Sequence, residues 1–289
     1  MGVLYEKKGQ EIIITGYEGE VSHLQIPESI EGLPVRQIAG SAFARRNDLV
    51  SVNLPASLEG MGRFAFYFCR NLEKVVLADG IRDSFDGVFR LCEKLQEVEI
   101  TLSGEQYTVV KELLSDLEGT LRVLLHLPGG DACLVFPGYL MEFQEDTFAR
   151  VFHSSIAGTG YTCRECVSRT GIDFTGYDRV FGRISRLEGD LAAEIALSRL
   201  LLPRGLARSA RELYETYIRE HNTAAVRLAV RNRREDWLRM LSESGLLEPA
   251  SAWEGIRLAT ERGEAALAAL LMKAVGTGKN ASGGSRFEL

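Results

Sequence analysis

The residues whose types and spacing best suit chemistry are two thiols. Cys163 and Cys166 form a CxxC within GTGYTCREC (Gly158–Cys166), a spacing used by structural zinc sites and by dithiol redox couples. A structural zinc needs four ligands, and no second CxxC or HxxxH supplies the other two. A thioredoxin-like couple needs the pair at a strand-to-helix junction, whereas the Gly-, Ser- and Thr-rich surroundings predict a loop. The pair therefore reads as ordinary thiols, with neither metal nor cofactor. The four histidines (His23, His126, His153, His221) fall in separate elements and no Ser sits in GxSxG, so a nucleophilic triad has no support and no catalytic residue is assigned. GTGKN (Gly276–Asn280) lacks the spacing and hydroxyl of a phosphate-binding loop and reads as the start of a flexible tail.

A second candidate is a set of arginines. Residues 204–239 hold nine Arg against five acids. On a helix Arg204, Arg208 and Arg211 would share one face, as would Arg227 and Arg231. Such a stripe suits bidentate pairing with phosphate or with an acidic partner. Against that, Arg outnumbers Lys 27 to 7 across the chain, and Glu212, Glu215, Glu220 and Glu235 stand near enough to neutralise it. The favoured reading is a solvated face. A net charge of −6 also disfavours general binding of nucleic acid or anionic membrane, both of which need excess Lys and Arg.

These groups need a frame to position them, and 289 residues with 45% hydrophobic and 26% charged side chains are enough for two cored domains. No apolar run reaches the roughly 20 residues of a membrane span, and Met1–Gln10 has no apolar region behind Lys7 and Lys8. Five cysteines, odd in number and sparse, read as a reducing compartment, so a cytoplasmic location is expected.

The frame shows itself as a repeat. Phe43, Phe66 and Phe89 recur at 23 residues, as do Leu49, Leu72 and Leu95, then Val52, Val75 and Val98, then Leu54, Leu77 and Ile100. An earlier copy (Val21, Leu24, Ile26, Ile30) aligns at a shift of 28, giving about four rungs. A 23-residue period with LxxVxL lies within the range of leucine-rich repeats, one short strand per copy. The Val and Leu of VxL share one strand face and point inward, while the Phe of each return segment builds a spine that only stacking can bury. Cys69 and Cys92, also 23 apart, belong to that spine.

IIITGYEGEVSHLQIPESIEGLPVRQIAGSAF (Ile12–Phe43), followed by LVSVNLPASL and NLEKVVLADGI, resembles the BspA-like class of bacterial leucine-rich repeats over roughly residues 4–102. Departures are Arg46 for the first Cys, Ala78 for the Pro seen at Pro27 and Pro55, and Asp83–Ser84 for the Ile-Gly turn. The resemblance implies a binding scaffold, and many members are surface proteins. The outward columns, His23, Ser51, Lys74 and Glu97 beside Gln25, Asn53, Val76 and Glu99, are the partner-binding candidates, together with Arg204, Arg208 and Arg211. Lys74 and Glu97 are expected to pair across strands.

Residues 103–176 read as an αβ junction: a helix over Val109–Leu117, then strands LRVLLHL (Leu121–Leu127) and ACLVF (Ala132–Phe136) as a hairpin closing the solenoid. From about Tyr177 short amphipathic segments follow at 207–221, 224–233, 235–244, 251–263 and 264–276. Arg227-Leu228-Ala229 with Glu235 and Leu238 parallels Arg257-Leu258-Ala259 with Glu264 and Leu267. This spacing resembles ankyrin-type helix pairs, without their TPLH signature.

The predicted fold is α+β: a solenoid with an N-terminal hairpin (1–102), a junction (103–176), a helical-repeat array (177–276) and a tail (277–289). The predicted function is non-catalytic binding of another protein. The alternatives are an enzyme or redox site near Gly158–Cys166, and a nucleic-acid or phosphate binder using the Arg-rich helices.

Overall fold

The computed structural model describes residues 2–84, 87–104, 106–146, 151–186 and 189–281. It divides into two units, residues 1–180 and 181–289.

The first unit begins with an antiparallel hairpin of β1 (Gly2–Lys8) and β2 (Glu11–Glu18). The chain then winds between two sheets. β3 (His23–Gln25) is followed by the small hairpin of β4 (Ser29–Ile30) and β5 (Leu33–Ile38). β6 (Ser51–Asn53) and β7 (Gly60–Met61), β8 (Lys74–Ala78) and β9 (Asp83–Ser84), and then β10 (Glu97–Thr101) repeat the path. One sheet runs β3–β6–β8–β10 in parallel, and the other runs β1–β2–β5–β7–β9. Of the second sheet the sequence predicts only the N-terminal hairpin, β1 and β2. Its strands β7 and β9, of two residues each, are too short to show a period of two.

Registers follow the predicted columns. His23, Ser51, Lys74 and Glu97 stand opposite one another along the sheet, with Leu24, Val52, Val75 and Val98 buried beneath. The Phe43, Phe66 and Phe89 rings stack at 5.0 and 5.3 Å with planes within 7° of parallel. The Cys69 and Cys92 thiols each donate to the carbonyl of the preceding rung's phenylalanine, Phe43 and Phe66, at 3.1 Å. Arg46 occupies the equivalent place one rung earlier. Its side chain donates to Tyr17 O (2.9 Å) and Gly19 O (2.6 Å), so it too bonds backbone carbonyls of the preceding turn. Asp48 holds that guanidinium, whose hydrogen bonds against the cost of burial set the carboxyl pKa down to about 2.

Each return segment demands left-handed backbone at two places. Ser41, Phe64 and Gly87 have φ of 58, 60 and 77°, and Arg45, Phe68 and Leu91 have 64, 61 and 62°, both sets 23 residues apart. Such a conformation costs a non-glycine residue about 1–2 kcal/mol, and here two phenylalanines accept it.

After β10, helix α1 (Thr108–Asp116) leads to β11 (Leu121–His126), which extends the sheet in parallel, and β12 (Ala132–Phe136) closes it antiparallel. Leu121, Val123 and Leu125 are buried, so the predicted hairpin forms and caps the solenoid. A further hairpin, β13 (Leu140–Asp146) and β14 (Val151–Ala157), was not foreseen. Histidine 153 lies in β14, and its side chain is outside the described set. The expected Gly158–Cys166 loop contains a short helix, α2 (Gly160–Arg164).

Helices α3 (Phe174–Ile184), α4 (Gly189–Leu201), α5 (Arg208–Glu220), α6 (Asn222–Arg231), α7 (Glu235–Glu243), α8 (Pro249–Glu261) and α9 (Ala265–Ala281) follow. Helix α9 takes in the Gly276–Asn280 run expected in a tail; residues 282–289 lie outside the described residues. In the second unit α4 is buried on nearly every side through Ala192–Leu200 and serves as the central helix. Its neighbours repeat as pairs: α6 packs on α8, and α7 on α9. The turns match too, with Arg234 N to Ala229 O at 2.9 Å and Glu264 N to Ala259 O at 2.8 Å. The close approach of α6, α8 and α9 requires Gly255, since a Cβ there would lie 2.6 Å from Val226 Cγ1 and 2.8 Å from Leu271 Cδ1.

Candidate functional site

Alternation along the strands aims one side chain in two out of the core, and stacking turns these into rows. On the outer face of the parallel sheet His23 Nδ1 meets Ser51 Oγ at 2.8 Å, and Asn53 Nδ2 donates to Gln25 Oε1 at 3.0 Å. Lys74 does not pair with Glu97. It reaches diagonally to Glu99 at 3.0 Å, while Glu97 is taken by Arg122 at 2.7 Å. The physical reason is the extra strand β11, which presents a second cation opposite Glu97. Val76, between Asn53 and Glu99, is half-buried.

β11 also adds His126, whose Nε2 lies 3.0 Å from Glu99 and whose Nδ1 lies 3.2 Å from Asp131. The hydrogen bond to Glu99 raises the His126 pKa, Asp131 adds to it, and burial opposes. For Glu99, burial acts upward, but hydrogen bonds from Lys74 and His126 outweigh it and hold the carboxyl below its ordinary value. Arg122 and His126 escaped the sequence reading because β11 follows β10 at 25 residues. The signal was present in Val123 and Leu125, which repeat the VxL of Val98 and Ile100. A hollow of about 600 Å³ opens beside His23, Ser51, Lys74 and Glu97, with Glu73 and Lys94 at its edge.

The arginine stripe does not assemble as expected. Arg204 lies in a turn before α5 begins at Arg208, so it shares no helix face with Arg208 and Arg211. Arg208 pairs with Glu212 at 3.0 Å and Arg211 with Glu215 at 3.8 Å. Arg227 pairs with Glu254, Arg231 with Asp190, Arg233 with Glu264, Arg234 with Asp236 and Arg239 with Glu235. Several partners come from neighbouring helices, which sequence spacing could not show.

At the CxxC, Cys163 is buried in α2 and Cys166 is half-buried. Burial first, then the Asp173 and Glu165 carboxylates, push the Cys166 thiol pKa up, the reverse of a reactive thiolate. Among the described residues no three His, Cys, Asp or Glu side chains gather as metal ligands. Between the cysteines sits Arg164, 3% exposed, donating to the carbonyls of Leu117 (3.0 Å), Gly119 (2.6 Å), Gly160 (3.2 Å) and Pro137. Its guanidinium also faces the Tyr139 ring at 4.9 Å. This buried clamp, tying three segments together, accounts for the motif region as structure.

Residues 17–111 match, in six copies, the family described as BspA type Leucine rich repeat region. That segment is a BspA-type leucine-rich repeat. The match ends before the junction and the helical half. Similar solved structures are bacterial leucine-rich repeat proteins. One is a leucine rich cell surface protein from Faecalibacterium prausnitzii A2-165, at 23% identity over 34% of this chain and 33% of that one, with a TM-score of 0.29. Another, from Bacteroides capillosus ATCC 29799, has 28% identity over 33% of this chain and 75% of that one, with a TM-score of 0.31. The T. pallidum Leucine Rich Repeat protein has 25% identity over 34% and 68%, with a TM-score of 0.24. The chain's matching part spans about a third of the Faecalibacterium protein. No curated protein matches the chain. Among the described residues no helix is long and apolar enough to cross a membrane.

Proposed function

We propose that the chain is a non-catalytic scaffold that binds another protein on the outer face of the β3–β6–β8–β10–β11 sheet, in the cytoplasm of a bacterium. The observation that carries this reading is the in-register row of polar side chains beside the 600 Å³ hollow. Five strands at ~4.8 Å spacing make a face about 20 Å wide, enough for one strand or helix of a partner. His23, Gln25, Ser51, Asn53, Lys74, Glu97 and Glu99 would exchange their mutual bonds for bonds to that partner, with Val76 as the apolar contact between the rows. The odd and sparse set of five cysteines supports a reducing compartment. Arg204, Arg208 and Arg211 have no part in it.

A photo-crosslinking amino acid placed singly at Gln25, Asn53 and Glu97 tests the reading in bacterial lysate. All three positions should label the same protein, and Arg208 and Arg211 should not. Labelling confined to the two arginine positions would overturn the assignment of the face.

A further inference from the structure

The return side of the solenoid carries a second surface that the outer-face reading does not use. In the middle rung Phe64, Tyr67 and Phe68 stand together at the surface, with ring centres 5.1 Å apart for Phe64 and Tyr67 and 6.0 Å for Tyr67 and Phe68. Arg63 lies over the Phe64 ring at 4.8 Å, and Arg70 and Arg45 lie over Phe68 at 4.2 and 5.9 Å. The neighbouring rungs close the patch through the backbone: Arg45 N donates to Tyr67 O at 2.8 Å and Phe68 N to Arg90 O at 3.0 Å. Arg45, Arg63, Arg70 and Arg90 are exposed, and among the described residues none of them forms an ion pair.

A guanidinium stacked on a ring is held flat while its N–H edge stays open to solvent, an arrangement made for a planar, bidentate anion. We infer that this patch docks an acidic peptide segment of a partner protein, with Asp or Glu carboxylates received by Arg63 and Arg70. The arginines cover the faces of Phe64 and Phe68. Nucleobases need those faces bare for stacking, so carboxylates fit this surface better than single-stranded nucleic acid. One further feature agrees. Arg45, Arg63 and Arg70 also set three exposed cations over these rings in a chain of net charge −6, and acidic segments are attracted to such cations.

The test is fluorescence anisotropy on the full chain with a labelled peptide of alternating Glu and Gly, at low and at physiological salt. The peptide should bind, and binding should weaken as salt rises. Arg63→Glu with Arg70→Glu should weaken it by about tenfold or more, the loss of two charge-assisted contacts. Arg63→Lys with Arg70→Lys keeps charge and fold but loses the flat fork, and should fall between wild type and the double Glu variant. Gln25→Ala with Asn53→Ala, which removes both members of one bond on the other face, should leave peptide binding unchanged, so failure here is separable from failure of the outer-face reading. Absence of peptide binding, equal binding by the double Glu variant, or tighter binding of labelled oligothymidylate than of the peptide would each overturn the proposal.

Discussion

The solenoid and the helical array differ in where their exposed arginines find partners. In the array, helices stacked about 30 residues apart bring many arginines to a carboxylate on their own or another helix, as in Arg227 with Glu254 and Arg233 with Glu264. In the solenoid, Arg45, Arg63 and Arg70 lie over aromatic rings, with no ion pair among the described residues. Local charge therefore misleads. Residues 204–239 carry the positive excess, yet eight of their nine arginines stand beside carboxylates, whereas residues 1–102, with fifteen acids to eleven bases, hold exposed arginines with no ion pair among the described residues. Binding capacity follows which charges lack partners, and only the three-dimensional neighbours reveal that.

The comparison is broken most readily at the spine. Phe66→Ala removes the middle ring of the Phe43–Phe66–Phe89 stack, and a buried Phe to Ala change costs roughly 3–5 kcal/mol. Urea unfolding should show that loss; an unchanged midpoint would mean the stack does not hold the rungs. In the helical unit the corresponding joint is Asn222, buried between the Leu246 carbonyl (2.6 Å) and the Glu248 amide (3.1 Å). Asn222→Ala leaves both groups without that partner and should cost about 1–3 kcal/mol, read from the helical signal in the same titration. On the outer face Glu97→Gln should cost under about 1 kcal/mol, since its pair with Arg122 is half in solvent.

The smallest effect is a titration. Histidine 126 should show an NMR pKa above its usual value of about 6.5, and Glu99→Gln should bring it back down. Its raised pKa stabilises the fold fully below about 6.5, and the contribution fades as pH rises through the folded value. Glu99, held low, contributes above its ordinary value of about 4.3 and loses that as pH falls through its folded one. The pair therefore contributes in full between the two, so the stability difference between wild type and Glu99→Gln should be greatest there and shrink at higher and at lower pH; a difference independent of pH would remove it.

What the sequence made legible was whatever repeats. The Leu49, Val52, Leu54 and Phe43 columns gave the strands, the inward face and the spine, because stacking forces each rung to bury the same position. Single occurrences were opaque. Phe64, Tyr67 and Phe68 have Ser41, Ala44 and Arg45 in the rung before and Gly87, Arg90 and Leu91 in the rung after, so a search for period averages the patch away. Arg164 carries no sequence signal, since its partners are backbone carbonyls that any residue supplies. Lys74 was given the wrong acid because β11 belongs to the sheet but not to the 23-residue register.

Hydrogen–deuterium exchange on the full chain, alone and with the partner captured from the outer face, tests the central claim most directly. The account predicts new protection in β6, β8 and β10, with α5 to α9 unchanged. Protection confined to residues 208–239, with the solenoid unaffected, would contradict it.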